Sequence, residues 1–465
     1  MTLYLPKPIN LKQATDWNLV SNSDLFVIPT KNAKLIQNHT PPKHPLLKEV
    51  THHLNTDDLT KKAGSSLLFY PQSKNSPKRV MLVELGSKPQ KTELSTIKQL
   101  NNVVSISLLT VKLPNPTLLN IIWAIENFRP LKTSDLILYS NHNVNNKVFN
   151  KAQSLIESLN LIKFLGNKPA NQLTPAIFAD FVKVFAENNN LIFSAKTQAE
   201  LYNEGFGALI GVGQGSEHPS QLVEIIANPE KKKTIALVGK GVTFDSGGIS
   251  LKPSKDMHEM KFDMLGGAYV LALTFLAKKL DLPFKVVGII GLAENLPGPK
   301  ALKPGDVVKS YNKKTIEVLN TDAEGRLILA DLLAYSQKAY NPNYIFDFAT
   351  LTGSVIASLG PKICGCFTRT KGLESKLSES AKVFSEHFHF LPLHEGYLGE
   401  LKSNVADLAN IGKGRYDSIL AALFLSSFVK PATPWIHFDI AGIAQDSNGP
   451  TGNGLRSIYS FLSQL

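Results

Sequence analysis

Short apolar runs alternate with longer amphipathic segments along most of the chain. Runs rich in β-branched residues predict strands, and segments whose apolar residues recur every three or four positions predict helices. In the C-terminal part this pattern predicts strands at Leu222–Ile226, Thr234–Val238, Phe284–Leu292, Thr315–Leu319, Tyr344–Phe348 and Trp435–Ile440. Strands that alternate with helices are typical of a mostly parallel sheet with helices on both faces.

The first third of the chain repeats this mixture on a smaller scale. It predicts a helix at Leu118–Phe128 and strands at Asp24–Pro29, Ser66–Tyr70, Arg79–Glu84 and Asp135–Tyr139. A further helix, from about Lys147 to Phe164, is expected to join two domains, as a chain of 465 residues favours. We therefore predict an α/β protein with a small N-terminal domain, residues 1–158, which includes most of the linker helix. The larger domain, residues 159–465, is expected to contain the central sheet.

The composition favours a cytoplasmic protein. Hydrophobic residues make up 43% of the chain, and no run of 18 apolar residues predicts a membrane-spanning helix. The N-terminal residues lack the basic and apolar regions of a secretory signal. Cys364 and Cys366 are the only cysteines, and they are separated by one residue on a predicted strand. That spacing suits neither an unstrained disulfide nor a zinc site, so we interpret both as core residues.

The positive charge is concentrated at one end of the chain. Residues 1–165 contain 20 Lys and Arg but 10 Asp and Glu, whereas the whole chain contains 50 and 38. A basic domain can bind DNA or another acidic partner. These lysines are scattered without a sustained run, which favours a solvated surface. Nucleic-acid binding or a scaffold role is kept as an alternative function for this domain.

The segment Asn320–Leu327, with the sequence NTDAEGRL, carries the most chemical information. Asp322 and Glu324 are two positions apart, and on an extended segment they would project from one side. Two crowded carboxylates repel each other unless a proton or a cation lies between them. A strand-like segment precedes them and a helix-like segment follows, so they are expected on a strand-to-helix turn, where α/β proteins place their chemistry.

A second cluster of charged residues lies in and after the glycine-rich segment Thr234–Lys252. Together with the first cluster it supplies four carboxylates and three cations, namely Asp245, Asp263, Asp322, Glu324, Lys240, Lys252 and Arg326. Two divalent metals would neutralise four carboxylates. Such a metal pair generates hydroxide near neutral pH and polarises a carbonyl group, which is the chemistry of hydrolysis.

The residues alone leave some roles open. Lys240 lies between two glycines at the end of a buried strand, and it could bind a metal as a neutral amine or, as its spacing favours, pair with a nearby acid. His258 is interpreted as a surface or packing residue. Met260 belongs to a methionine stripe typical of a core, although it could line a pocket. The glycines of residues 211–216 lack the full dinucleotide-binding pattern, so such a cofactor is disfavoured.

Two motifs, Gly239–Gly248 and Asn320–Leu327, resemble the signatures of the leucyl aminopeptidase family, also called cytosol aminopeptidases. Further segments follow the order of that family: Met260–Met264, Glu294–Asn295, Lys303–Asp306, Ala349–Gly353, Ala421–Leu425, Asp439–Gly442 and Gly449–Gly452. The resemblance covers roughly residues 160–465. The N-terminal domain is similar only in its position and its α/β character.

The resemblance implies a dinuclear metalloexopeptidase that releases N-terminal amino acids, leucine-like ones preferred, through attack by a metal-bridging water or hydroxide. It implies that the tighter metal is held by Lys240, Asp245, Asp263 and Glu324. The more exchangeable metal is implied to be held by Asp245, Asp322 and Glu324. Zinc and manganese are the implied metals, with magnesium as a further candidate.

The same resemblance assigns the remaining site residues and the partners. Lys252 would stabilise the oxyanion, and Arg326 would hold a bicarbonate ion that acts as the general base. The substrate cleft would include Met260, Thr350, Leu351 and Gly353. The implied partners are peptides with a free N-terminus and further copies of the chain in a homohexamer, with no membrane.

The sequence also departs from the family pattern at three places. Leu265 and the segment Leu296–Lys300 replace residues that are usually smaller or different. The segment Arg415–Ser418 lies where small residues, often glycine, are common. None of the implied metal ligands is lost, so these differences concern the specificity pocket and the side-chain preference.

Overall fold

The computed structural model describes residues 10–14, 25–31, 34–35, 46, 49–52, 66–69, 72, 80–84, 104–107, 135–139, 146–384 and 386–465. The chain divides into two units, Leu5–Glu157 and Ser158–Leu465. The division falls within helix α1, Asn146–Gly166, which contains the helix expected from Lys147 to Phe164. The helix predicted at Leu118–Phe128 lies outside the described residues, as do most of the N-terminal charges behind the nucleic-acid hypothesis.

The residues of the N-terminal unit that the structure describes include a seven-stranded sheet. Its strands are β1 (Asn10–Ala14), β2 (Leu25–Lys31), β3 (Lys34–Leu35), β4 (Ser66–Phe69), β5 (Val80–Glu84), β6 (Val104–Ser107) and β7 (Asp135–Tyr139). The strand order is β1-β7-β6-β2-β5-β4, with β3 paired to β2. The pairs among β1, β7, β6, β2 and β5 are parallel, and the pairs with β3 and β4 are antiparallel. The four strands predicted in this region are confirmed.

The C-terminal unit alternates strands and helices. Its remaining helices are α2 (Pro175–Asn188), α3 (Gln198–Glu204), α4 (Gly207–Gly213), α5 (Leu265–Lys279), α6 (Gly325–Tyr340), α7 (Gly353–Leu359), α8 (Leu373–Phe384), α9 (Asp417–Ser426) and α10 (Leu455–Leu462). Its longer strands are β8 (Ile192–Lys196), β9 (Gln221–Ala227), β10 (Thr234–Asp245), β11 (Lys285–Asn295), β14 (Tyr344–Ala349), β15 (Cys364–Phe367) and β18 (Trp435–Asp439). Its short strands are β12 (Val307–Lys309), β13 (Thr315–Glu317), β16 (Phe388–Phe390), β17 (Leu408–Ala409), β19 (Gln445–Asp446) and β20 (Gly449–Pro450).

Eight of these strands form the main sheet, in the order β16-β15-β18-β14-β10-β11-β9-β8. The four central strands β18, β14, β10 and β11 are parallel to one another, which confirms the predicted mostly parallel sheet. Helices cover the central strand β10 on both faces. Successive side chains of a strand point to opposite faces. Gly239 lies against α5, and the side chain of Lys240 lies against the first residue of α6.

Since parallel strands end at the same edge, their last residues are brought together there. This edge holds Asp245 at the end of β10, Asn295 at the end of β11 and Asp439 at the end of β18, while Thr350 follows β14. The strand predicted at Thr315–Leu319 is confirmed as β13. However, β13 belongs to a separate sheet with β12 and β17.

The predicted core residues and the apolar helix are accounted for by packing. Cys364 and Cys366 lie on β15 and are buried with free thiols, as interpreted from the sequence. Among the described residues, the helical segment Met257–Lys279 is long and apolar enough to cross a membrane. Because 89% of its apolar window is buried inside the fold, its apolar character is explained by its place in the core. His258, just within this segment, is exposed.

Candidate metal and catalytic centre

Three carboxylates converge at the edge where the central strands end. Asp245 closes β10, and Asp322 and Glu324 lie on the turn that leads into α6. One oxygen atom of each carboxylate lies within 4.8 Å of the others. The backbone of Glu324 is helical, with φ −77° and ψ −35°. The acidic pair therefore does not lie on an extended segment, and the turn itself brings the two side chains together.

Two lysine side chains neutralise this cluster. Lys240 Nζ lies 2.6 Å from Glu324 Oε1 and 2.9 Å from Asp263 Oδ2, which adds a fourth carboxylate to the site. Lys252 Nζ lies 2.8 Å from Asp245 Oδ2 and also contacts Asp322 Oδ1. Six of the seven predicted charged residues thus form two groups of ion pairs, one around each lysine, and the close approach of carboxylates from both groups joins them into one network.

Burial and mutual repulsion shift the pKa values in this network. Burial raises the pKa of Asp263 well above its usual value, and it also raises the pKa of Asp322 and Glu324. The negative charge of Asp245 adds to all three shifts. Burial lowers the pKa of Lys240, but its neighbouring carboxylates outweigh this and raise the pKa above its usual value. In the protein alone Lys240 is therefore an ammonium paired with acids, the interpretation that its spacing favoured.

Two glycines provide the space for this network. A Cβ atom added at Gly325 would lie 2.8 Å from Cδ and Nζ of Lys240. Gly247 has a φ of +86°, a conformation that other residues rarely adopt, and a Cβ there would lie 2.8 Å from Asp322 Oδ1. The glycines of both motifs thus allow charged side chains to approach the backbone closely.

Neutral groups hold the carboxylates in their orientations. Asn295 Nδ2 donates to Asp245 Oδ1 at 2.8 Å and to the carbonyl oxygen of Thr321 at 3.0 Å. The backbone N–H of Gly247 donates to the same Asp245 oxygen at 2.9 Å. Thr350 Oγ1 donates to Asp263 Oδ1 at 2.7 Å. Such supporting hydrogen bonds fix the directions in which carboxylate oxygens face a bound ion.

Arg326 lies in the first turn of α6 and is almost fully buried. Its Nη1 donates to the carbonyl oxygen of Asn410 at 2.8 Å. Its Nη2 donates to both carboxylate oxygens of Asp417, at 2.9 and 2.8 Å. A guanidinium group binds an anion through two N–H groups either with Nε and Nη2 or with Nη1 and Nη2, so both arrangements use Nη2. The Asp417 carboxylate thus occupies Nη2 and leaves neither bidentate face of Arg326 free for bicarbonate, while the buried Nε has no hydrogen-bond partner in the part of the chain that the structure describes.

A comparison with known families places this geometry in context. Residues 160–459 match the model of the cytosol aminopeptidase family, catalytic domain. The chain belongs to the cytosol aminopeptidase family. This confirms the resemblance that the two motifs carried, and it places a catalytic domain of aminopeptidase type in the C-terminal unit.

Curated relatives of the family are similar over the same region. A probable cytosol aminopeptidase of Rickettsia bellii (strain OSU 85-389) is 41% identical over 329 residues, which cover 68% of this chain and 66% of that protein. The cytosol aminopeptidase of Rickettsia prowazekii (strain Madrid E) is 39% identical over 339 residues, covering 70% of this chain and 68% of that protein. The match thus spans about two thirds of the length of these relatives.

Solved structures extend the likeness to the fold. The bottromycin maturation enzyme BotP in complex with Mn has a TM-score of 0.83 and 28% identity, covering 95% of this chain and 99% of that one. The cytosol aminopeptidase of Coxiella burnetii has a TM-score of 0.81 and 27% identity, covering 95% and 97%. These structures confirm the predicted α/β class.

The residues of the site fit the divalent metals that the family implies. The donor set is rich in carboxylate oxygens, with one amine nitrogen, a mixture that suits zinc, manganese and magnesium. The raised pKa values of the buried acids indicate negative charge that a cation would stabilise. Two lysines supply positive charge to these carboxylates in the protein alone.

The predicted substrate-cleft residues lie around this network. Thr350 contacts Lys240 and Asp263, and Leu351, half-buried, donates its N–H to Asp439 Oδ1 at 3.1 Å. Met260 lies on the one-turn helix Met257–Phe262 beside Asp263, and Gly353, exposed, begins α7. These positions are compatible with a cleft, and their roles in binding stay predictions.

The sequence did not reveal several residues that shape the site. Asn410 contacts the acidic turn, with Nδ2 donating to the carbonyl oxygen of Asn320 at 2.6 Å. Asn295 orients Asp245, and Asp417 binds Arg326. Only the departure from the family pattern at residues 415–418 pointed towards Asp417. Nothing in the local sequence distinguishes Asn410 from any other loop asparagine.

Proposed function

We propose that the protein is a metal-dependent aminopeptidase that releases N-terminal amino acids from peptides, with leucine-like residues preferred. The observation that carries this proposal is the convergence of Asp245, Asp322 and Glu324 within 4.8 Å, flanked by two lysines. Family membership supplies the reaction class. Divalent cations, when bound, activate water and polarise a carbonyl, and aminopeptidases are known examples of two-metal enzymes.

The protein's own residues would bind the metals and hold the metal ligands in position. Asp245, Asp263, Asp322, Glu324 and Lys240 would hold two metals, with zinc, manganese or magnesium as the candidates. Asn295 and Thr350 would keep two of these carboxylates in position through the hydrogen bonds described above.

Lys252 would stabilise the oxyanion that forms during peptide cleavage. Its ammonium group lies 2.8 Å from Asp245 Oδ2 and is partly exposed, so it faces both the cluster and the solvent. The neighbouring carboxylates keep its pKa above the usual lysine value, although burial acts in the opposite direction. A permanent positive charge at this point suits the stabilisation of developing negative charge.

Family membership also guides the proposals for location and assembly. The relatives are named cytosol aminopeptidases, which supports a cytoplasmic location. Membership in this family favours a homohexamer. Size-exclusion chromatography with light scattering would test this, and a stable monomer in solution would contradict it.

The function is tested by hydrolysis of amino-acid amides with different side chains. We expect cleavage of leucyl amide, loss of activity with a chelator, and recovery with manganese or zinc. Asp322→Ala and Glu324→Ala should abolish activity and weaken metal binding measured by calorimetry. Asp180→Ala is a matched control, because Asp180 is an exposed acid on α2 far along the chain from the site. Full activity in both site variants would refute the proposed centre.

A further inference from the structure

The guanidinium group of Arg326 is buried and pairs with a carboxylate of the same chain, that of Asp417. Its side chain is 2% exposed, whereas the side chain of Asp417 is 39% exposed. A buried arginine needs a hydrogen-bonded counter-charge, since leaving it unpaired is costly. Asp417 meets this need through two contacts from Nη2 at 2.8 and 2.9 Å.

The place of Asp417 in the fold also suits a negatively charged side chain. It is the first residue of α9, a helix of ten residues. The N-terminus of a helix favours negative charge on a nearby side chain. Its partner Arg326 is held in turn by the carbonyl oxygen of Asn410, so the guanidinium plane is fixed from two sides.

The pair is tied directly to the acidic turn of the candidate centre. Arg326 follows Glu324 by two residues at the start of α6. Asn410, whose carbonyl accepts from Arg326, donates through its side chain to the carbonyl oxygen of Asn320. Its amide oxygen accepts from the backbone N–H of Leu319 at 2.8 Å. An anion bound to Arg326 therefore lies beside the turn that presents Asp322 and Glu324.

We propose that Asp417 is a resident anion for Arg326, so that the enzyme works without bicarbonate at this site. The inference rests on the proposed aminopeptidase function. An exchangeable ion would compete for Nη2 with a carboxylate that the chain itself supplies at high effective concentration. Asp417 is thus a positioning residue: it fixes Arg326 and places a negative charge beside the centre.

The proposal is tested by removing the carboxylate and supplying bicarbonate. Leucyl-amide hydrolysis is measured for the metal-loaded wild type, Asp417→Gly, Asp417→Asn and the control Asp180→Asn in carbonate-depleted buffer, with and without millimolar bicarbonate. We expect wild type and control to change less than about twofold on addition of bicarbonate. Asp417→Gly should lose on the order of 10–100-fold, as for other outer-shell partners, and recover much of it with bicarbonate.

A second readout does not depend on activity. Bicarbonate should raise the melting temperature of Asp417→Gly, because a ligand that binds only the folded state stabilises it, and should leave that of the wild type unchanged. If Asp417→Gly fails to fold, Asp417→Ala is used, since it also removes the carboxylate and leaves room for the ion. Asp417→Glu keeps a carboxylate, so this variant should hydrolyse leucyl amide without added bicarbonate.

The outcomes separate this inference from the proposed function. Strong bicarbonate dependence of the wild type, or a bicarbonate-induced rise in its melting temperature, would overturn the role of Asp417. A folded Asp417→Gly or Asp417→Ala variant that neither binds bicarbonate nor gains activity from it would do the same. A wild type inactive with every metal would instead refute the aminopeptidase function, and the melting temperatures would still test the anion site.

Discussion

Replacing Gly325 with alanine would add a single methyl group at a crowded point of the site, beside Lys240. Its Cβ would lie 2.8 Å from Cδ and Nζ and 2.9 Å from Cε of Lys240. Carbon atoms in contact prefer separations of about 3.5–4.0 Å, so the side chain of Lys240 would have to move by roughly 0.7 Å or more. Lys240 has little freedom to move, because Glu324, Asp263 and the carbonyl of Thr350 hold its ammonium group within 3.1 Å.

Two opposing effects determine how much Gly325→Ala changes the free energy of unfolding. Overpacking of this kind typically costs about 1–3 kcal/mol, whereas replacing a helical glycine by alanine gains at most about 1 kcal/mol. The expected net change is a loss of about 0–3 kcal/mol in the free energy of unfolding. The effect on the site should be larger, since displacement of Lys240 and of the adjacent Glu324 is expected to weaken metal affinity by about 10–100-fold.

The variant is compared with Gly399→Ala in urea unfolding, metal-binding calorimetry and leucyl-amide hydrolysis. Gly399 lies in the short helix Glu395–Leu401, and an added Cβ there meets no atom within 4 Å. The control should therefore bind metal and hydrolyse substrate like the wild type. Unchanged metal affinity and turnover in Gly325→Ala would refute the argument that this glycine makes room for Lys240.

Three further predictions concern Lys252, the bound metals and the buried acid Asp331. Lys252→Ala should lower turnover by about 10²–10³-fold without weakening metal binding, because its ammonium group competes with cations for Asp245 and Asp322. Chelation should lower the melting temperature, and manganese should restore it, since a metal bound to the folded state stabilises it by about 2.7 kcal/mol at one hundred times its Kd. Burial raises the pKa of Asp331 to about 7, against the lowering effect of backbone donors. The folded state then binds more protons than the unfolded state between about pH 4 and 7, so this contribution to stability, at most about 4 kcal/mol, is lost as the pH rises through that window.

Each of these predictions has a result that would contradict it. For Lys252→Ala, wild-type turnover with intact metal binding would exclude an oxyanion role. An unchanged melting temperature after chelation would show that the folded protein gains nothing from metal. For Asp331, the measurement is urea unfolding of wild type and Asp331→Asn at pH 4 to 7. Parallel profiles for the two proteins would exclude the expected titration, since the variant has no group that ionises there.

Local patterns were sufficient for most elements of the C-terminal unit. The strand β10 could be predicted because an uninterrupted apolar run bounded by glycine and acidic residues is typical of a strand buried on both faces. The ends were less certain, since β10 continues to Asp245 rather than stopping at Val238. β13 was predicted as a strand and β12 lies just before it in sequence, but its other partner, β17, is remote in the chain, and periodicity carries no information on such pairing.

Some residues of the candidate site were likewise predictable from local sequence, and others were not. Short motifs identified Lys240, Asp245, Lys252, Asp322 and Glu324, because carboxylates and lysines next to glycines form a pattern that can be recognised within a few residues of sequence. Asn295 and Asn410 acquire their roles only when distant segments meet, as their separations of 50 residues from Asp245 and 90 from Asn320 illustrate.

The sequence by itself determined the α/β class, the family and the identity of the charged residues at the centre. Only the tertiary structure decided that Lys240 is an ammonium ion shared by Asp263 and Glu324, and that Asp417 binds Arg326. The physical reason is that protonation states and ion pairs depend on burial and on distances of a few ångströms between groups remote in the chain. Residue order specifies which groups exist, and the packed fold sets which charges face each other.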